Sequence, residues 1–88
     1  MNHKHRKVLH SLFAHPVSAN IAPQAVESVI EELGGMIEQR HGGRVGFRLN
    51  DHFAVFHHPQ HTLHPDEVRK ISKFILEAGV EPERDYPL

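Results

Sequence analysis

The sequence predicts an α+β domain: a three-stranded antiparallel sheet with helices on one face, in the order α-α-β-β-β-α. Three observations carry this reading. Apolar residues recur at helical spacing before residue 34 and after residue 65, whereas between residues 36 and 57 the apolar period drops to two. Turn residues break that middle segment at His41-Gly42-Gly43 and at Asn50-Asp51, which leaves room for hairpins and nothing longer. A meander of three strands has one face to bury, and helices laid on that face bury it.

Each element follows from its own residues. In residues 4–14, Val8, Leu9, Leu12 and Phe13 lie at helical spacing, and Pro16 follows. Pro23 suits the first turn of a second helix, where its missing N–H has no intrahelical partner to lose. Val26, Val29, Ile30 and Leu33 form the apolar stripe of that helix, and Gly34-Gly35 supplies its stop. Met36–Arg40 is the first strand. In Arg44–Leu49, Val45, Phe47 and Leu49 share one face while Arg44, Gly46 and Arg48 share the other. The third strand, His52–His57, is apolar on both faces, so it is expected to be central or covered, and which face meets the helices is left open. A loop over residues 58–65, with Pro59 and Pro65, leads to a last helix at 66–78. Val68, Ile71, Ile75 and Ala78 line one side of that helix, and Gly79 ends it. The whole chain, 1–88, reads as one domain: an N-terminal helix extension at 1–18, a core at 20–80, and a loose tail at 81–88.

Composition narrows the function classes. With no cysteine, disulfides, thiolate metal sites and a cysteine nucleophile are excluded. No apolar run approaches the roughly 20 residues of a membrane helix, so a cytoplasmic chain without membrane contact is expected. The net charge of −1 is no polycation, but Arg40, Arg44 and Arg48 recur every four residues, with Arg44 and Arg48 on one strand face. That spacing suits phosphate contact, and Lys70 and Lys73 on the last helix extend the patch. Asp66, Glu67 and Glu77 on the same helix argue for ordinary solvation instead. No aromatic platform for stacked bases is evident on the polar face. Phosphate-binding glycine loops, nucleophile elbows and paired acidic dyads are missing from the sequence.

Ten histidines stand out. His57 and His58 end the third strand beside the second, within reach of Arg44 or Arg48, where imidazole suits general acid or base work. The competing reading is structural, a histidine packed at the sheet end and bonded to a carbonyl. His41 at the first turn is a displaced base or simply solvated. His57, His58, His61 and His64 also suggest a divalent metal or a pH-responsive interaction domain. Against a metal stand the missing cysteines, Asp66 as the one loop carboxylate, and prolines that spoil regular ligand spacing. No metal and no cofactor is therefore assigned.

A helix ending in "ELGG", the hairpin "EQRHGGRVGFRL", the histidine-proline pair His58-Pro59 and a last helix closing in "ILEAGV" together resemble the HicA family of toxins, over roughly residues 20–80. The resemblance implies a fold like a double-stranded-RNA-binding domain, a metal-free ribonuclease that cleaves messenger RNA, and a HicB-type antitoxin as partner. The family's usual catalytic histidine stands in a Gly-Ser-His motif just after the first turn. The matching positions here read Gly42, Gly43 and Arg44. A guanidinium stays protonated and does not accept a proton, so the resemblance implies RNA binding more directly than cleavage. If cleavage occurs, His57 or His58 is expected as acid or base and Arg44 as phosphate holder. The alternative is a catalytically silent relative that binds RNA or a protein.

Overall fold

The computed structural model describes residues 1–58 and 61–88. Its elements run α1 (His3–Leu12), α2 (Pro23–Glu32), β1 (Met36–Arg40), β2 (Arg44–Leu49), β3 (His52–His57), α3 (Pro65–Glu77) and α4 (Pro82–Asp85). The strands form an open antiparallel sheet in the order β1-β2-β3. This is the expected α+β architecture with one short helix added at the end.

Local chemistry sets the boundaries. The Asn2 side chain caps α1 by accepting from the His5 N–H, and His64 caps α3 by accepting from the Asp66 N–H. At the end of α2, Gly34 takes φ 92°, a left-handed conformation that glycine reaches without Cβ strain. There the Gly35 N–H donates to the Ile30 carbonyl at 2.9 Å and the Gly34 N–H to the Glu31 carbonyl at 3.0 Å, satisfying two orphan carbonyls. The same pair of bonds ends α3, where the Val80 N–H reaches the Ile75 carbonyl. Asn50 and Asp51 both take positive φ, as a two-residue hairpin turn requires, and the Asn50 amide donates to the Ala78 carbonyl at 2.9 Å.

The core lies between the sheet and the helices. Val45, Phe47 and Leu49 from β2 and Phe56 from β3 meet Val26, Val29 and Ile30 of α2 and Val68, Ile71, Phe74 and Ile75 of α3. Phe47, Phe56 and Phe74 form an aromatic cluster with centroids 5.2–6.4 Å apart. Helix α2 packs on β1, α3 packs on β3, and α1 packs on both helices. Among the described residues, no helix is long and apolar enough to cross a membrane.

Three expectations are corrected. Strand β3 is an edge, not central or covered: Phe53 and Val55 stay 40% and 41% exposed because the helices cover only the opposite face. The N-terminal helix is more than an extension, since Leu9 and Leu12 are buried in the common core. The tail is not loose. Val80 and Pro82 are buried, Tyr86 packs on the core, and the Tyr86 carbonyl lies 2.7 Å from His10 Nε2.

Candidate nucleic-acid interface

Strand alternation sends every second residue to the side of the sheet without helices. In antiparallel register, Arg40 of β1 stands opposite Arg44 of β2, and Arg44 stands opposite His57 of β3. Further along, Met36 faces Arg48, and Arg48 faces Phe53. Between these rows, Glu38, Gly46 and Val55 line up across all three strands. Arg40, Arg44 and Arg48 therefore share one open face.

Phe53 organises the middle of that face. Its ring lies beside Gly46: a Cβ there would sit 2.9 Å from Phe53 Cζ and 3.0 Å from Cε1. Only a residue without a side chain lets the ring settle so close to the sheet. The Arg48 guanidinium carbon stands 5.0 Å from the ring centroid and that of Arg40 5.7 Å, both within cation–π range. The polar face thus carries an aromatic surface, which corrects the expectation that it has none. Residue types on β3 are apolar on both faces, so the sequence left open which aromatic pointed outward; the register with β2 decides it.

Charge on the face is uneven. Arg40 makes an ion pair with Glu38, with Nη2 3.3 Å from Oε1. Arg44 Nε donates to the His41 carbonyl at 3.3 Å, folding its side chain back over the turn. Among the described residues, Arg44 and Arg48 have no carboxylate within 4.0 Å. Like charges directly opposite in a sheet are destabilising, so the Arg40–Arg44 pairing is an arrangement that an anion would relieve.

The same alternation parts the two histidines proposed as acid or base. His57 is exposed on the open face, beside Arg44. His58 turns to the helix side, where its ring packs edge-on against Phe47, centroids 5.3 Å apart. There His58 Nδ1 lies 3.2 Å from Glu27 Oε2, and the Gln39 amide donates to Glu27 Oε1 at 3.2 Å. Burial pushes the His58 pKa below its usual value, although Glu27 and Glu67 pull it upward. Its Nε2 is buried without a hydrogen-bond partner among the described residues. His58 is thus an oriented, packed imidazole away from the arginines.

The remaining candidates scatter. His41 is exposed at the tip of the first hairpin. Lys70 and Lys73 are exposed on α3 along a groove beside β3 rather than on the open face, and Lys70 pairs with Glu67. Glu67 also accepts from the backbone N–H of His57, at 3.2 Å. His64 is occupied as a helix cap and His61 is exposed. Among the described residues, no three histidine, aspartate or glutamate side chains converge as a metal site would require. Pro59 of the histidine-proline pair lies outside the described residues.

Sequence reasoning placed Gly46 on the arginine face but missed Phe53 and Met36 as members of it. It also missed the Phe53 ring lying against Gly46, although a lone glycine inside a strand pattern marks a bulge or a close approach. Comparison with protein-family models, with curated proteins and with solved structures finds no match for this chain.

Proposed function

We propose that this chain is a HicA-like RNA-binding protein that contacts RNA through the helix-free face of its sheet. The observation that carries the reading is the convergence of Arg40, Arg44 and Arg48 from two strands on one open face, with Phe53 between two of them. Planar guanidinium forks suit phosphate oxygens, and an open sheet gives several nucleotides access at once. Under this reading the protein partner is a HicB-type antitoxin and the compartment is the cytoplasm.

Cleavage is the second reading, and one pairing favours it: His57 stands directly across from Arg44. In such a site Arg44 holds the phosphate and His57 exchanges the proton, without metal. The face presents a single histidine of this kind, so binding is the stronger half of the proposal. Purified protein incubated with mixed RNA, with and without EDTA, separates the two. Cleavage that persists in EDTA and disappears in His57→Ala supports the nuclease. Intact RNA together with salt-dependent retention supports binding alone. For binding, the triple variant Arg40→Gln, Arg44→Gln, Arg48→Gln is expected to lower the salt slope by about 2, at roughly 0.7 per phosphate contact on a single strand. An unchanged slope refutes the face as the RNA site.

A further inference from the structure

Among the described residues, five large hydrophobic side chains are exposed, and three of them, Met36, Phe53 and Val55, stand on the arginine-bearing face. A face meant only for phosphates has no need of them. A double helix offers phosphates, sugars and groove edges, with its bases stacked on one another and no π-face open along its length. A single strand offers both chemistries together, a charged backbone and apolar base faces.

We infer that the polynucleotide bound here is single-stranded, with one unpaired base stacked on Phe53 and its flanking phosphates held by Arg40 and Arg48. The inference rests on the RNA reading above and names the form of RNA that the face accepts. Three features support the assignment. Phe53 is part-exposed at the centre of the face, and Gly46 beneath it leaves room for the ring to lie close to the sheet. Arg48 and Arg40 stand 5.0 and 5.7 Å from the ring centroid, close enough to reach the backbone on either side of a stacked base. Met36 and Val55, on neighbouring strands, continue the apolar surface for adjacent bases. The net positive character of the arginine rows selects a polyanion over an apolar protein surface.

The test is fluorescence anisotropy with a labelled uridine oligonucleotide of about 12 nucleotides, within the span of known single-strand sites. The competitors are the matching RNA duplex and the thymidine oligonucleotide of equal length. The native chain is expected to prefer the single strand. Phe53→Leu keeps the apolar bulk but loses the π-face, and is expected to weaken single-strand binding about 5- to 100-fold. Phe53→Tyr restores it. Circular dichroism melting confirms that each variant is folded. Equal affinity for duplex and single strand, with Phe53→Leu binding like the native chain, overturns the stacked base and leaves the RNA reading standing. Tighter binding to DNA than to RNA overturns the RNA reading and leaves the stacked base. Binding to none of the three overturns both and points to a protein on this face.

Discussion

Replacing Gly46 by alanine tests how the open face is built. The strand backbone at Gly46 accepts any residue, so the perturbation is steric: the new methyl lies 2.9 Å from Phe53 Cζ, 3.0 Å from Cε1 and 3.6 Å from Arg40 Nε. Every one of these contacts is with the outer part of an exposed side chain, so Phe53 swings away and the backbone stays. Losing the two guanidinium–ring contacts costs about 0.5–1 kcal/mol each at an exposed site. Alanine returns about 0.5–1 kcal/mol of backbone entropy relative to glycine. The net destabilisation is then about 0–1.5 kcal/mol, a Tm drop of no more than about 12 °C for a domain of this size. With the ring displaced, single-strand RNA affinity is expected to fall by a factor comparable to that of Phe53→Leu. Thermal melting and anisotropy on the same preparation read both effects. A loss of stability well above 2 kcal/mol shows that the ring cannot yield and refutes the steric argument. Unchanged RNA affinity in a variant of native stability refutes the importance of the ring's position.

Gly35→Ala makes the opposite prediction, because its methyl would lie 2.8 Å from the Arg48 carbonyl oxygen and 3.0 Å from that of Ile30, atoms of backbone that cannot swing aside. About 1–3 kcal/mol of stability is expected to be lost in urea unfolding, more than for Gly46→Ala. His58→Gln tests the buried imidazole. Because burial lowers the pKa of His58 in the folded state, the unfolded chain takes up its proton first as pH falls below about 6.5. The stability tied to His58 is therefore complete above pH 6.5 and diminishes as pH drops toward the lowered folded value. His58→Gln is expected to flatten that part of the stability–pH curve, and an unaltered slope between pH 6.5 and 5 would contradict the burial argument. Truncation after Glu81 removes buried Pro82 and half-buried Tyr86, and is expected to cost about 1–3 kcal/mol in thermal or urea unfolding. A tail that can be removed without change would be loose after all.

Much of the fold was legible because it is written in short-range patterns. The stripe Val26, Val29, Ile30, Leu33 admits only a helix, and Gly34 at its end meets a conformation that other residues resist. Asn50-Asp51 between two apolar runs reads as a hairpin without any knowledge of the rest of the chain. The tail was misread for the complementary reason. Polar residues and two prolines describe EPERDYPL in isolation, whereas its order comes from α4 and Tyr86 docking beside α1, where the Tyr86 carbonyl meets His10, 76 residues earlier. Leu63 is a similar case, a core residue in a proline-rich loop, held by its N–H to the Ile21 carbonyl at 2.9 Å.

The candidate site divides along the same line. That Arg44 and Arg48 share a face follows from the period of a strand alone, and the sequence determines it. Arg40 joins them through the hairpin register, which the turn at 41–43 nearly dictates. The fate of β3 was beyond reach, since Phe53, Val55, Ala54 and Phe56 give both faces an apolar surface, and the tie is broken by its register with β2 together with the side that the helices cover. Tertiary packing sent Phe56 inward against Phe47 and Phe74 and left Phe53 over Gly46. It also parted His57 from His58, one beside Arg44 and the other held by Glu27. Periodicity fixes which residues stand together on a face, because it is a property of the backbone. Which face stays open belongs to tertiary structure, because it depends on where the rest of the chain buries its apolar area.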